Sequence, residues 1–341
     1  MQDLLKQLGR DRLIGELIRH SRELPGPPPT YASPREPLPP ELSAALASLG
    51  VHRLYSHQAE AMDHLAAGRN VLVATPTASG KSLVFALPVL QSILEDRSTR
   101  ALFLYPTKAL AQDQIAGLRK LALAASPLNP PTFEIDDGDT TQHQRRKIRS
   151  DPPNVLITNP DMLHFSILAN HPSWEPFLRH LRWVVLDELH VYRGMFGAHV
   201  HHVLRRLKRL AGGEKEVRYV AASATIGNPE EFAATLTGES FSAVTASGAG
   251  GSDRQVLFLN PVMVSPYTVA VKVVAAAARA GMRTIAFTKA RRITELLHTW
   301  LVRQEPELAG QVAPYRAGYL PEERRRIEER LFRGDLKAVL T

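Results

Sequence analysis

The sequence of 341 residues contains no cysteine. This absence excludes a disulfide scaffold, a zinc ribbon and a thiol enzyme. The chain also lacks an apolar run long enough to span a bilayer, because its most apolar late stretch, TVAVKVVAAAARAG, is short and is interrupted by Lys272 and Arg279. The amino-terminal segment MQDLLKQLGRDRLIGEL is charged and lacks the apolar core of a signal peptide. We therefore expect a soluble, cytoplasmic protein.

The composition is typical of a globular protein with a large core, since 44% of the residues are hydrophobic and 22% are charged. The 42 basic residues outnumber the 34 acidic residues, which gives a net charge of +8. This excess favours a polyanionic partner, although many basic enzymes share it. The length predicts two domains, or one domain and a large part of another.

The first 245 residues predict an α/β arrangement. Helical spacing of leucine and isoleucine over residues 3–20 is followed by eight prolines within residues 25–40, which indicate an extended spacer. Short apolar runs then alternate with helical stretches, and most of the runs are continuous enough for a parallel sheet covered on both faces. The predicted strands are VLVAT (71–75), ALFLY (101–105), TFEI (132–135), VLIT (155–158), WVVLD (183–187) and VRYVAAS (217–223).

A second α/β unit is predicted after the small-residue stretch ASGAGGS at residues 246–252. It ends within an apparent strand, LKAVLT, and an uncovered strand would leave an apolar edge, so we expect the chain to be part of a longer protein. The predicted domains are an amino-terminal helix and proline-rich spacer (1–50), a complete lobe (51–245), a linker (246–254) and an incomplete lobe (255–341).

The segment from VLVAT through PTASGKS to LVFALPVLQSIL has the strand, loop and helix order of a phosphate-binding loop. In that geometry the loop backbone and the helix amino terminus face the phosphates, Lys81 reaches the β and γ oxygens, and Ser82 ligates Mg²⁺. One departure is Thr75, which stands where the pattern GxxxxGK[ST] has a glycine. The predicted nucleotide-binding loop comprises Thr77, Ala78, Ser79, Gly80, Lys81 and Ser82.

Two adjacent acids, Asp187 and Glu188, end the apolar run WVVLD. A carboxylate at such a strand end can hold Mg²⁺, and its neighbour can orient or deprotonate the water that attacks the γ-phosphate. Paired acids are also common as solvated or capping residues. Together with the phosphate-binding loop, however, they predict a site for ATP and Mg²⁺ in which Lys81, Asp187 and Glu188 are catalytic and Ser82 and Asp187 hold the metal.

The strings TPTASGKS, DELH and SAT, in this order, resemble motifs I, II and III of superfamily two helicases of the DEAD/DEAH type. YSHQAEA, YPTKALAQDQ, DGDT and TNPDML add further matches, and the resemblance extends over about residues 38–341. The longer strings TASGKS, DELHVYRGMFGAHV and SATIGNP are most similar to the MrfA (YprA) group of bacterial DNA-repair helicases and their Hrq-type RecQ-like relatives. The second motif reads DELH rather than DEAD or DEAH, and it keeps both acids.

This resemblance implies a P-loop NTPase fold with two RecA-like lobes, of which the first is complete and the second truncated. It also implies that the Gln58 amide reads an adenine edge, and Tyr55 could stack on the base. Ser223 and Thr225 would couple the γ-phosphate to lobe movement, with His190 as their partner near the acids. Without the family context, each of these residues would be assigned an ordinary structural role.

The family implies nucleic-acid contacts at loops and helix starts that follow the strands. Hydroxyls, amides and helix amino termini there can hold successive phosphates without reading bases, and helix capping is an alternative role that can coexist. The predicted contact residues are Pro106, Thr107, Lys108, Gly138, Asp139, Thr140, Thr158, Asn159, Pro160 and Asp161.

These observations together predict an ATP-dependent 3′ to 5′ DNA helicase or translocase that acts in DNA repair. The alternatives are an RNA helicase, a DNA-binding module with a vestigial ATPase, and a small-molecule P-loop kinase, which would not need the SAT and TNPD motifs. No QxxGRxGR sequence follows the last helical stretch, where the family carries its arginine finger. We therefore expect this chain to bind nucleotide but to hydrolyse it poorly.

Overall fold

The structure, a computed structural model, describes residues 2–211, 213 and 216–341, except for the side chains of residues 2, 108–110, 113 and 321. The chain forms two compact units. One comprises residues 26–252, and the other combines residues 1–25 with residues 253–341.

The strands of the described chain alternate with helices along most of the sequence. The strands are β1 (Ile18–Leu24), β2 (Tyr31–Ala32), β3 (Leu54–Tyr55), β4 (Asn70–Ala74), β5 (Arg100–Leu104), β6 (Phe133–Asp136), β7 (Val155–Thr158), β8 (Leu181–Leu186), β9 (Arg218–Ser223), β10 (Phe241–Val244), β11 (Arg254–Leu259), β12 (Thr284–Ala286), β13 (Val312–Pro314) and β14 (Ala338–Leu340).

The helices are α1 (Gln2–Arg10), α2 (Arg12–Leu17), α3 (Pro40–Ser48), α4 (Ser56–Ala66), α5 (Ser82–Glu95), α6 (Lys108–Ala125), α7 (Gln142–Ser150), α8 (Pro160–Met162), α9 (Glu175–Arg179), α10 (Gly194–Leu210), α11 (Pro229–Thr237), α12 (Pro266–Arg279), α13 (Arg291–Gln304) and α14 (Pro321–Arg333). A π-helix (Leu163–Ile167) and a 3₁₀ helix (Leu168–Trp174) continue from α8. Within the described residues, no helix is both long and apolar enough to span a membrane.

The unit of residues 26–252 is built on a parallel sheet with the strand order β10-β4-β9-β8-β5-β7-β6 among the described residues. Its central strands are buried on both faces: Val71 and Val73 pack into one apolar core, whereas Leu72 packs into the other. Helices on both faces bury alternate residues of the same strand, which explains why the strand sequences are nearly continuous in apolar residues.

The carboxyl ends of three neighbouring interior strands, β4, β9 and β8, lie side by side at the carboxyl-terminal side of this sheet. Ala74 at the end of β4 pairs with Ser223 at the end of β9, and Leu186 at the end of β8 pairs with Ala221 of β9. The segments that follow β4, β8 and β9 therefore lie side by side, which is the usual place for a ligand site in an open α/β sheet.

The other unit contains a parallel sheet of order β12-β14-β13 and an antiparallel pair, β1 with β11. The prediction of one helix over residues 3–20 is therefore wrong at its end, since the helical part stops at Leu17 and residues 18–24 form β1. Pairing with β11 supplies β1 with hydrogen bonds that a helix would otherwise have to make within itself. Residues 1–25 thus belong with residues 253–341, and these boundaries differ from the predicted division at residues 50 and 245.

The proline-rich spacer is ordered by backbone hydrogen bonds within the larger unit. The Thr30 N–H donates to the Gly248 carbonyl at 2.8 Å, and the Ser56 N–H donates to the Thr30 carbonyl at 2.9 Å. The Gly251 N–H donates to the Pro27 carbonyl at 3.0 Å. The spacer therefore runs beside the small-residue segment that precedes Asp253.

Candidate nucleotide site and nucleic-acid interface

The loop between β4 and α5 carries backbone strain next to the strand-end acids. Among the described residues, Ala78 (φ 62°) and Glu188 (φ 49°) are the only non-glycine residues with positive φ. A left-handed conformation costs of order 1–3 kcal/mol at such residues and clusters at functional sites. Ala78 lies in the predicted phosphate-binding loop and Glu188 is one of the predicted catalytic acids, so both strained positions fall on the predicted site.

Gln58 hydrogen-bonds the phosphate-binding loop and holds it in place. Its side chain is buried, its Nε2 donates to the Gly80 carbonyl at 2.9 Å, and its Oε1 accepts the Tyr55 N–H at 2.8 Å. Gly80 has φ 79°, and a Cβ added there would lie 2.7 Å from Gln58 Nε2. Gln58 thus fixes the turn that precedes Lys81, and its contact with an adenine edge stays a prediction.

Tyr55 lies in a stack of aromatic rings. Its ring centroid is 5.3 Å from that of Tyr31 and 5.8 Å from that of His57, and both pairs are nearly parallel. The ring of Tyr55 is therefore packed against protein on these contacts, and base stacking by Tyr55 stays a prediction.

Thr75 has a structural role at the position where the general pattern has glycine. Its side chain is buried, and its hydroxyl lies 2.7 Å from the hydroxyl of Ser79, which is also buried. This hydrogen bond closes the base of the loop, so a side chain at residue 75 is compatible with the turn.

The Lys81 ammonium lies over its own loop. Nζ donates to the carbonyls of Thr75 at 2.9 Å and of Pro76 at 3.0 Å. Burial lowers the pKa of Lys81, while the negative charges of Glu188 and Asp187 oppose that shift. The loop lysine and the strand-end acids therefore lie close enough to interact electrostatically, and their joint role in nucleotide binding stays a prediction.

Asp187 is a buried carboxylate at the end of β8. Burial raises the pKa of Asp187 to about 6, and the Glu188 N–H, which donates to Asp187 Oδ1 at 2.8 Å, opposes this shift. Burial removes water from this carboxylate and so disfavours its charged form. A bound cation would stabilise the charged form again, so the position is suited to a metal ion.

His190 joins the acids to the end of β9. Its Nδ1 accepts the Ala224 N–H at 3.3 Å, and the Ser223 hydroxyl lies 3.5 Å from the same nitrogen. Glu188 Oε2 is 3.4 Å away from it. Thr225 is exposed, and its coupling role stays a prediction.

The donor set fits Mg²⁺ bound together with phosphates. Ser82 is the first residue of α5, and its hydroxyl donates to Gln114 Oε1 at 2.8 Å. No group of three or more His, Asp or Glu residues suited to a metal is found among the described residues. Mg²⁺ usually takes only one or two carboxylates and completes its shell with waters and phosphate oxygens. Ser82 and Asp187 would hold the ion, which neutralises charge on the β- and γ-phosphates.

The predicted nucleic-acid contacts after β5 and β6 lie mostly at the surface. Thr107 is exposed at the start of α6 and Pro106 is partly buried, while the Lys108 side chain lies outside the described residues. Gly138 and Asp139 are exposed in the loop after β6, and the Thr140 hydroxyl accepts the Asp137 N–H at 2.9 Å. Their contacts with a nucleic acid stay predictions.

The segment after β7 mixes buried and exposed positions. The buried Thr158 hydroxyl donates to the Asp136 carbonyl at 2.6 Å, and Asn159 Oδ1 accepts the Met162 N–H at 2.9 Å as a helix cap. Pro160 is buried, whereas Asp161 is exposed. The alternative role of helix capping therefore holds for Asn159, and Thr158 links two strands; contact of these four residues with a nucleic acid stays a prediction.

Three residues in or beneath the site were not predicted: Gln114, Asp136 and His57. Gln114 lies in the quoted motif YPTKALAQDQ, which was the available signal for its contact with Ser82. Asp136 is fully buried, and it accepts Arg145 Nε at 2.8 Å and the Ser166 hydroxyl at 3.0 Å. No local pattern marks an ion pair of this kind.

His57 lies between the phosphate-binding loop and the small-residue segment at residues 246–252. It is fully buried, and its Nδ1 accepts the Gly248 N–H at 3.1 Å. Nε2 has no hydrogen-bond partner among the described residues, although the Ser79 backbone lies near enough to oppose part of the pKa shift. Burial is the largest cause and lowers the pKa of His57, so folding favours the neutral ring.

We therefore expect a pH-dependent stability contribution from His57. A lowered pKa in the folded state gives stability that is present above the ordinary pKa of about 6.5 and is lost as pH falls through the folded value. As the pH falls below about 6.5, the melting temperature of the wild type should fall more steeply than that of His57→Asn. The Asn side-chain oxygen can replace Nδ1 as an acceptor. Thermal melts across this range check it, and parallel curves would contradict it.

Comparison with known proteins identifies the family. The sequence profile described as DEAD/DEAH box helicase matches residues 55–232, more than half of the chain. The chain belongs to the DEAD/DEAH box helicase family. The matched residues include the loop with Lys81 and the acids Asp187 and Glu188, whose geometry is described above.

Within this family, the chain is similar to several individual helicases. It is 38% identical to the ATP-dependent helicase YprA of Bacillus subtilis over 318 residues, which cover 90% of the chain and 42% of YprA. It is 36% identical to the ATP-dependent helicase hrq1 of Schizosaccharomyces pombe, covering the whole chain and 34% of hrq1. A crystal structure of the DUF1998 helicase MrfA bound to DNA and AMPPNP superposes with a TM-score of 0.90 at 35% identity, covering 99% of this chain and 48% of MrfA.

The predicted resemblance to the MrfA (YprA) and Hrq group is thereby confirmed, as is the predicted RecA-like parallel sheet. The helicase chain spans less than half the length of these relatives.

Proposed function

We propose that this chain is the motor of an ATP-dependent helicase or translocase that acts on DNA, moves in the 3′ to 5′ direction and serves DNA repair. The observation that carries the proposal is the shared environment of Lys81, Asp187 and Glu188 at one sheet edge. The likeness to MrfA, whose structure holds DNA and AMPPNP, supports DNA and ATP as ligands. Direction and repair rest on the resemblance to that group alone.

Each residue of the site has a defined part in this proposal. When the nucleotide binds, Lys81 Nζ gives up its hydrogen bonds to the loop carbonyls and donates to phosphate oxygens instead. The backbone of residues 77–80 surrounds these phosphates. Asp187 and Ser82 would hold Mg²⁺, which would neutralise phosphate charge, and Glu188 would orient the attacking water. His190 and Ser223 connect Glu188 with the end of β9, so that the state of the phosphate can alter the segment after that strand.

The vestigial-ATPase alternative is disfavoured by the same geometry. The two non-glycine residues that the described chain holds at positive φ both lie in the nucleotide site. Strain of this kind persists only where the surrounding structure maintains it. A site that no longer bound nucleotide would be expected to have acquired residues and backbone conformations without strain.

The proposal predicts reciprocal coupling between nucleotide and DNA. Single-stranded DNA should tighten binding of AMPPNP to the 341-residue chain, and AMPPNP should tighten DNA binding by the same factor, typically about 5- to 150-fold, because linkage is reciprocal. Titration of a fluorescent ATP analogue with and without DNA, and of labelled DNA with and without AMPPNP, measures both factors without requiring hydrolysis.

RNA of the same sequence is the matched control for substrate class. Stronger coupling to RNA than to DNA would overturn the DNA assignment, and absence of coupling to either would overturn the motor assignment. Direction requires ATP turnover, so it is tested with a protein that carries a complete second lobe: strand displacement is expected from a duplex with a 3′ single-stranded tail and not from one with a 5′ tail.

A further inference from the structure

A cavity of about 360 Å³ lies between α7 and the helical segment that follows β7. Both segments start near the carboxyl ends of neighbouring strands, β6 and β7. The cavity volume lies within the roughly 300–1,000 Å³ typical of small-ligand sites. Its lining includes Gln142, Arg145, Arg149, Met162, Phe165 and Asn170.

Phe165 gives this cavity an aromatic wall. Its side chain is 69% exposed although its neighbours Leu163, Ser166 and Ile167 are buried. These residues form a π-helix, a rare turn that is frequent at functional sites. The exposed ring contributes little to the apolar core and is accessible to a ligand in the cavity.

A neighbouring histidine holds the phenylalanine from one side. The rings of His164 and Phe165 have centroids 4.5 Å apart, and Arg206 Nη1 donates to His164 Nδ1 at 2.7 Å. Arg206 thereby fixes the His164 ring, which in turn supports the Phe165 ring. A side chain that is supported in this way loses little conformational entropy when a planar ligand stacks on it.

The part of the cavity lining that α7 contributes is basic. Residues 142–150 contain Arg145, Arg146, Lys147 and Arg149 and no acid. Arg145 is occupied by the buried carboxylate of Asp136, so it serves the fold. Arg149 lines the cavity one turn later on the same face, and among the described residues its Nε makes only a long contact, 3.4 Å, with the Arg145 carbonyl. Its guanidinium is therefore the cation best placed for an anionic ligand.

We propose that this cavity binds one nucleotide of single-stranded DNA, with the base stacked on Phe165 and a phosphate contacted by Arg149. An aromatic platform beside a basic wall is the usual arrangement for binding a single strand without reading its sequence. The inference rests on the proposed DNA function and extends the strand beyond the predicted contacts at residues 138–140 and 158–161. Stacking requires a base, whereas the predicted contacts hold only the backbone.

The stacking contact is tested with the 341-residue chain and a fluorescent oligothymidylate. Phe165→Ala and Phe165→Leu should each weaken binding by roughly 5- to 150-fold, the range that corresponds to loss of one base–aromatic stack. Phe165→Tyr, which keeps a ring, should bind like the wild type. Phe332→Ala, which removes another exposed phenylalanine in the other unit, should change nothing.

A strand without bases distinguishes stacking from a general structural effect. On an abasic deoxyribose-phosphate strand, Phe165→Ala should bind as well as the wild type, because no base is available to stack. An equal loss on both strands, or no loss on the oligothymidylate, would overturn the proposal. A wild-type chain that binds neither strand would overturn the proposed function as well, so the two failures are distinguishable.

The phosphate contact is tested by salt dependence. Arg149→Ala should reduce the slope of log affinity against log salt by about 0.7, the value for one phosphate contact on a single strand. Arg146→Ala removes the same charge from an exposed position on the same helix and should change the slope less. Equal effects of the two substitutions would show a diffuse charge effect and would overturn the assignment of Arg149.

Discussion

Replacing Lys81 with alanine should weaken binding of ATP to this helicase chain by at least roughly 100-fold. The lysine is expected to contact two phosphate oxygens, and a hydrogen bond to a charged group contributes about 1.5–3 kcal/mol, while each 1.4 kcal/mol changes affinity about tenfold. Titration with a fluorescent ATP analogue measures the loss. The fold should be unaffected, since within the part of the chain that the structure describes Nζ donates only to the carbonyls of Thr75 and Pro76 in its own loop.

Lys120→Ala is the matched control for this experiment. Lys120 is exposed on α6 of the same unit, so its replacement removes the same charge without touching the loop. Unchanged nucleotide affinity in Lys81→Ala, or an equal loss in both variants, would contradict the assignment of the loop. Thermal melts of the two variants should coincide with that of the wild type.

Replacing Asp136 with alanine should destabilise the unit of residues 26–252 by about 3–5 kcal/mol, the usual effect of removing one partner from a buried ion pair. Asp136 is fully buried and accepts from both Arg145 and Ser166, so its loss leaves the Arg145 guanidinium, whose side chain is only 16% exposed, without its carboxylate. At about 2–4 °C per kcal/mol for a domain of this size, the melting temperature should fall by roughly 6–20 °C.

Glu134→Ala provides the control for the Asp136 experiment, because Glu134 is an exposed carboxylate on the same strand. Its removal should shift the melting temperature by far less than that of Asp136. Equal melting temperatures for Asp136→Ala and the wild type would mean that the ion pair does not stabilise the sheet edge.

The sequence predicted most of the central sheet because its strands are buried on both faces and therefore consist of nearly uninterrupted apolar residues. Residues 155–158, for instance, form β7 as predicted. The edge strand β10 (Phe241–Val244) was missed because FSAV is short and of mixed polarity, and it is defined by its pairing with β4. Similarly, β1 depends on β11, a partner more than two hundred residues away in the chain.

The candidate nucleotide site was partly predictable for a related reason. The positions of Lys81 and Asp187 follow from a loop and a strand end, which are local patterns. The contacts of His57 with Gly248 and of Ser82 with Gln114 join distant segments, so no local pattern contains them. The left-handed backbone of Ala78 could not be predicted either, since alanine ordinarily avoids that conformation.

The pairing of β1 with β11 has a consequence for synthesis of the protein. The first 25 residues leave the ribosome before any of residues 253–341, with which they form one unit, has been translated. Residues 26–252 form a compact unit with its own parallel sheet, and domains generally fold as units during translation. During synthesis, residues 26–252 are therefore available to fold while β1 is still unpaired, because its partner strand β11 has not yet been translated.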